Sequence, residues 1–394
     1  MKITFVASYL TVYGGGGIFL TDYANKLCER GHQVTIVSQK VDKNLYKFNG
    51  SIDVLEIGGP LPSNPLFWLK FNSIVKQFIR ILSQLKSDIN ISVNFPSNYI
   101  CSKFNSNESP KHIFFCNEPF RFFHDKKFYS NAPLLLRIVS WGLRLFYKKF
   151  DIEGTLAADE IIYNSKYTKK RGINWYGRDG IIHNIGIHTN CDSNNSEYTR
   201  FQQKWCIPDN YPVLFTLGLT HHLKGAKELI LIFEKILKEI PDVRLLIGGW
   251  LLTENRILIN KLIKKLNLPS ENIIYAGFIE RDLLDLFYQK SSLTLYTPID
   301  EAYGLIPLES MKNGTPVVAF EGGPSDTIIN GKSGYLVKSH DINSFSLKAI
   351  RVLKSKELYE KFSQFGKQLI KDNFDIEHKI SELENILEDI LYSN

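Results

Sequence analysis

Short runs of β-branched and aromatic residues alternate with longer amphipathic stretches along this chain of 394 residues. That alternation is the signature of parallel sheets joined by helical crossovers. In the first half, Lys2–Ala7, Gln33–Ser38, Asp53–Ile57, Asp88–Val93, Lys111–Cys116, Glu160–Tyr163 and Gly180–His183 read as strands. Gly17–Arg30, Leu66–Leu85 and Leu134–Gly154 read as helices. Polar turn residues at Asn190–Glu197 (NCDSNNSE) break the pattern and mark a linker. A second series follows, with strands at Val213–Leu217, Val243–Ile247, Asn272–Tyr275, Leu293–Tyr296 and Pro316–Ala319. After Gly334–Val337 only helix-like sequence remains. The expected fold class is α/β: two Rossmann-like, doubly wound domains, 1–190 and 205–372, facing across a cleft. In such sheets ligands bind outside the carboxyl ends of the strands.

Composition narrows the class. With 44% apolar and 23% charged residues the chain can fill sizeable cores, which rules out a disordered or fibrous chain. Lys and Arg exceed Asp and Glu by 48 − 41 = +7, without a dense basic block. That surplus fits an anionic small molecule or an acidic membrane surface, and nucleic acid is set aside. Five scattered cysteines form no C-x-x-C pair, so a reducing, cytoplasmic setting is expected. No apolar run is long enough to span a membrane.

Three loops carry candidate chemistry. Gly14-Gly15-Gly16-Gly17 lies between the first strand and a helix expected to begin near Ile18. It permits close backbone approach to an anion, although four adjacent glycines also suit a plain flexible turn. Its spacing matches neither the dinucleotide fingerprint nor a Walker loop. Thr216 to Ala226 sets Lys224-Gly225 at a helix start, where an ammonium can neutralise a diphosphate; a solvated surface lysine explains it as well. The third string runs from Asp300-Glu301 through Gly304-Leu305 and Glu309 to Gly314-Thr315-Pro316. Pro307 and Gly314 bracket a helix, so Glu301 precedes it and Glu309 lies within its early turns. Amides near Gly304 and Leu305 face an anion, while the two carboxylates can accept hydrogen bonds from sugar hydroxyls. A glycosidase pair is the competing use of two acids. One loop–helix unit is a poor way to flank a glycosidic bond.

The stretch Glu301 to Ala319 resembles the E-x7-E region of glycosyltransferase family 4, retaining nucleotide-sugar transferases of GT-B fold. Gly14-Gly15 with Arg30-Gly31-His32, Ile162 to Thr168 (IYNSKYT), Gly322-Gly323-Pro324 and Gly331 to Val337 extend the likeness over nearly the whole chain. The resemblance implies a nucleotide-sugar donor such as a UDP- or GDP-linked hexose, and a hydroxyl acceptor, glycan or lipid-linked. It implies catalytic roles for Glu301, Asn117 and Lys224. Donor binding falls to Gly15, Gly16, Lys224, Phe278, Ile279, Glu301, Tyr303, Gly304, Leu305 and Glu309. Arg121 lies on the acceptor side, and residues 373–394 pack back on the first domain. No cofactor is implied, and no metal is expected: D-x-D does not occur. The chain departs from the family pattern at Leu219, where arginine is usual, at Asn117, where histidine is usual, and within Ile182–His188. Those departures keep open a non-catalytic nucleotide-sugar-binding subunit, beside a sugar-nucleotide epimerase.

The segment Arg121 to Phe150 is rich in aromatic and basic residues. On a helix Arg137, Arg144 and Lys148 share one face while most other positions are apolar. Such a helix suits a peripheral contact with an anionic membrane, and equally a core helix with one wet stripe.

Overall fold

The computed structural model describes residues 1–104, 110–125, 134–190, 203–204, 211–220 and 222–392. The expected linker begins at Asn190, and its remainder, 191–197, lies outside the described residues. The chain divides into two compact units. Unit 1 comprises Met1–Ile185 with Glu377–Asn394, and unit 2 comprises Gly186–Ile376.

Unit 1 holds a seven-stranded sheet: β1 Lys2–Ala7, β2 Gln33–Ser38, β3 Asp53–Glu56, β4 Ile89–Val93, β5 Lys111–Cys116, β6 Glu160–Tyr163 and β7 Ile181–Ile182. Their spatial order is β3-β2-β1-β4-β5-β6-β7, and every pairing is parallel. After its first residue, β1 is buried throughout, as expected where helices cover both faces of a parallel sheet. Strand order reverses beside β1, so the loops after β1, β4 and β5 gather at the switch point. Register sets them level: Ala7 pairs with Val93, and Val93 with Phe115.

The expected helix Leu66–Leu85 is two helices, Pro65–Leu69 and Phe71–Leu82. Asn64 caps the first by accepting from Leu66 N, and the chain turns at Lys70 (φ −96°, ψ 10°). The turn buries Phe67 and Phe71 together, their rings edge to face at 5.9 Å. At the far end of the chain, Ile376–Tyr392 buries Ile380, Leu383 and Leu387. Its Glu377 and Glu384 meet Arg30 at 3.1 and 2.7 Å, and Glu384 also meets His32 at 2.8 Å.

Unit 2 holds a six-stranded parallel sheet of β8 Val213–Leu217, β9 Arg244–Gly248, β10 Ile273–Gly277, β11 Leu293–Tyr296, β12 Val317–Phe320 and β13 Gly334–Val337. Their order is β10-β9-β8-β11-β12-β13, which again places a switch point beside the first strand of the series. Aliphatic residues of β8, β9 and β11 close one core with the helices Ala226–Glu239 and Ile342–Lys354.

Candidate functional site

In unit 2 the loop after β8 carries Lys224, the last residue of a short 3-10 turn, His222–Lys224. Two contacts pin this turn to the end of β11. Ile299 N donates to Leu223 O at 2.7 Å, and Thr297 Oγ1 donates to Lys224 O at 3.2 Å. Gly225 follows in the left-handed region (φ +71°), and a Cβ there would lie 2.0 Å from Thr297 O. Only glycine permits that approach. Lys224 Nζ then reaches Glu301 Oε2 at 2.7 Å, a partly exposed pair. Asp300, a non-glycine residue at φ 56°, turns the chain immediately before Glu301. Backbone strain of that kind costs about 1–3 kcal/mol and persists where the surroundings enforce it. The enforcement here is the Gly322-Gly323 turn: Gly323 N donates to Glu301 O at 2.8 Å, and a Cβ on Gly323 would meet Ala302 at 2.2 Å.

Gly304 (φ +108°) caps the helix Leu305–Lys312, whose first-turn amides have no partner within the helix and begin four residues after Glu301 in the chain. Glu309 sits one turn further on. Its Oε2 accepts from the buried Tyr288 hydroxyl at 2.9 Å, and burial raises its carboxyl above the ordinary glutamate value. Tyr303 is buried. Phe278 is exposed and leans on the exposed Trp250, ring centroids 5.8 Å apart, whereas Ile279 is buried beneath. Trp250 carries no motif signal. Its place after the Gly248-Gly249 end of β9 appears only in the fold. Leu219, at the usual arginine position, is a core residue whose carbonyl accepts from Asn255 Nδ2 at 2.9 Å.

Unit 1 presents a neutral counterpart. Gly15, Gly16 and Gly17 form the first turn of the helix Gly15–Glu29, which begins before the expected Ile18. Tyr46 holds this turn, its hydroxyl bonded to Val12 O at 2.5 Å and to Gly14 N at 3.2 Å. A Cβ at Gly17 would strike the Tyr46 ring at 2.4 Å. At Gly16 it would meet only Asn117 Nδ2 at 3.6 Å and Asn94 Nδ2 at 4.0 Å. Asn117 is 8% exposed, and neither polar atom of its side chain has a hydrogen-bond partner; Asn94 Oδ1 is unpartnered too. Buried polar atoms are almost always satisfied, so the unmet Asn117 carboxamide and Asn94 Oδ1 beside Gly16 make this a candidate place for a polar ligand. Asn94 was not legible beforehand, because its signal is conformational, a non-glycine φ of 59° after β4.

The N-S-K-Y-T string explains how Asn117 is held. Asn164 Nδ2 donates to Asn117 O at 2.7 Å, and Ser165 caps the helix Lys166–Tyr176 by accepting from Thr168 N at 2.9 Å. That helix brings Tyr176, whose hydroxyl accepts from Phe120 N and donates to Asp151. Arg121 is buried, with its guanidinium on Asp125 Oδ2 (3.1 and 2.9 Å) and near Glu118 (3.6 Å).

Two family descriptions match the chain: Glycosyltransferase Family 4 over residues 13–186, and Glycosyl transferases group 1 over residues 197–369. The chain belongs to this family. N-acetyl-alpha-D-glucosaminyl L-malate synthase of Bacillus anthracis is 25% identical over 196 residues, half of each chain. The alpha-1,3/1,6-mannosyltransferase of Eremothecium gossypii is 24% identical over 81% of this chain and 69% of its own. Several matched relatives, the malate synthase among them, are therefore spanned over only about half their length. Among solved structures, sucrose-phosphate synthase from Thermosynechococcus elongatus has a TM-score of 0.82 at 17% identity, covering all of both chains. HepE from Anabaena, in complex with UDP-glucose, has a TM-score of 0.76 at 17% identity over 99% of this chain and all of its own. The fold of this chain is thus the family's GT-B fold.

Proposed function

We propose that the protein moves a sugar from a nucleoside-diphosphate sugar, UDP- or GDP-linked, to a hydroxyl acceptor in glycan or glycolipid assembly, with retention at the anomeric carbon. The observation that carries this is the Lys224–Glu301 pair at the start of the helix Leu305–Lys312. A cation and first-turn amides together suit a diphosphate, and the adjacent carboxylate suits sugar hydroxyls. In this reading the bond between the anomeric carbon and the phosphate oxygen breaks. The acceptor oxygen bonds that carbon from the same face, and its proton passes to the departing diphosphate. Lys224 and the amides stabilise the charge that develops on that diphosphate. Glu309, its Oε2 held by Tyr288, turns its other oxygen to the ribose. The exposed Trp250 and Phe278 border the base, with backbone near Ile279 beneath it. In unit 1, Gly15, Gly16 and Asn117, joined by Asn94, receive sugar or acceptor hydroxyls, and Arg121 keeps the Asn117 loop in place. The UDP-glucose held by HepE supports the donor class.

The test is release of nucleoside diphosphate from a panel of nucleotide sugars, with and without hydroxyl acceptors. Glu301→Gln should lower kcat far more than Glu309→Gln, whose loss should fall mainly on KM. A larger kcat defect in Glu309→Gln would reverse the two assignments. Tight binding of a nucleotide sugar without turnover would favour a non-catalytic binding subunit, the reading that Leu219 in the core keeps open.

A further inference from the structure

The helix Leu134–Leu156 resolves the two uses its sequence allowed. Tyr147 and Phe150 pack onto Phe71 (ring centroids 5.2 and 5.6 Å), and Asp151 and Thr155 are buried. The opposite side is exposed and apolar. Ile138, Val139, Trp141, Leu145 and Phe146 are each 50–67% exposed. Scattered exposed apolar residues need no explanation, but five large ones within about two and a half turns of one helix do. Arg137, Arg144 and Lys148 run along an edge of this face, with Lys149 exposed within it. From Arg137 to Lys149 the chain has no Asp or Glu. None of the four cations has an acidic partner among the described residues.

We propose that this face is a docking surface for an anionic lipid bilayer, lying in the interface with its apolar ridge among the acyl chains and its basic edge on the headgroups. The charge pattern selects the occupant. A second copy seated on the same face would set four cations against four, which an isologous contact cannot relieve. An acidic surface with an apolar interior satisfies both halves of the pattern. A spanning arrangement is excluded for this helix: no described helix is long and apolar enough to cross a membrane. The sequence showed the basic stripe and apolar positions nearly all round, without saying which of those are exposed. The structure moves the weight to the apolar ridge beside it, with the cations steering and Trp141 placed where an indole sits well, at the boundary.

The experiment sediments the full chain with vesicles of phosphatidylglycerol and phosphatidylcholine in equal parts, against vesicles of phosphatidylcholine alone. Binding is expected to the anionic vesicles, weakening with salt, with a blue shift of tryptophan emission. Trp141→Phe should keep sedimentation and lose most of that shift. Gln at all four cations should weaken binding about a hundredfold or more, since each basic residue near such a surface is worth about fivefold. Leu145→Ser with Phe146→Ser should weaken it at least about tenfold; circular dichroism checks that the exposed substitutions leave the fold intact. Failure to bind anionic vesicles at low salt would overturn the proposal. So would retention on polyglutamate without vesicle binding, which would mark a face for an acidic protein. So would an unshifted spectrum, which would leave only surface attraction. The assay uses neither donor nor acceptor, so its outcome is separate from that of the transferase reading.

Discussion

Each unit places a glycine where its sheet order reverses, and the two glycines serve opposite ends. In unit 2, Gly225 is required by geometry: its φ is +71° and its missing Cβ leaves room for Thr297 O. In unit 1, Gly16 is under no such demand, and its missing Cβ leaves room beside the unpaired Asn117 carboxamide and Asn94, whose Oδ1 is also unpaired. The surroundings differ likewise. The unit 2 loop meets its charges internally, Lys224 on Glu301 and Glu309 on Tyr288, so a ligand there must compete with bonds already made. The unit 1 loop keeps neutral hydrogen-bonding capacity unmet. One site is electrostatically balanced and rigidly built, and the other is unsatisfied and open.

The largest effect that can break this contrast is on stability. Gly225→Ala adds a backbone clash to a left-handed strain and should cost more than about 3 kcal/mol, read by urea denaturation. Gly16→Ala should change stability by less than about 1 kcal/mol while slowing transfer, because its methyl points toward Asn117. A Gly16→Ala protein with undiminished turnover would show that the space is not a ligand's.

Acid should separate the units next. His112 and His183, both in unit 1, are held by burial at about 3, far below the ordinary histidine value of 6.5. The unfolded chain therefore binds these protons first. Stability is complete above about pH 6.5 and falls with acid until about pH 3, by about 2–3 kcal/mol in total between pH 7.5 and 5.5. In unit 2 the raised Glu309 carboxyl has the opposite sign, since acid neutralises a charge that burial disfavours. Limited proteolysis at pH 5.5 should then cut within residues 1–185 before 211–376. The reverse order would mean the two histidines are not held neutral.

Two smaller effects sharpen the picture. Lys224→Ala should weaken nucleoside-diphosphate binding by about 1.5–3 kcal/mol and leave nucleoside binding nearly unchanged. Calorimetry showing equal losses would make Lys224 an ordinary surface lysine. Asn117→Leu should leave the unfolding free energy within about 1 kcal/mol of the parent, or raise it, while lowering turnover. A clear loss of stability would show that the carboxamide is satisfied after all.

Most of the sheet architecture was legible because parallel strands are buried on both faces. Lys2–Ala7 and Lys111–Cys116 are β-branched and aromatic runs buried after their first residue, and both strands have the expected bounds. The break at Lys70 was not legible, since it depends on how Phe67 and Phe71 fit beneath neighbouring elements. Site loops with paired chemistry, such as Glu301 to Gly314, announce themselves by residue type and spacing. Asn94 and Trp250 do not, because what distinguishes them is a backbone angle and a neighbour remote in sequence. The outward side of Leu134–Leu156 was equally hidden. Apolar residues nearly all round leave periodicity unable to say which side is wet.

The helix Ile376–Tyr392 has a consequence for the order of synthesis. Glu377 and Glu384, the partners of Arg30 and His32, leave the ribosome only after the whole of unit 2. From Ile185 to Glu377 is 377 − 185 = 192 positions, an interval of about 10–40 s at ordinary translation rates. Unit 2, begun second, can be complete first, while unit 1 waits with the seat for Ile380, Leu383 and Leu387 uncovered. A nascent chain stalled before residue 377 should expose that apolar seat to chaperones, and release of the last helix should close it.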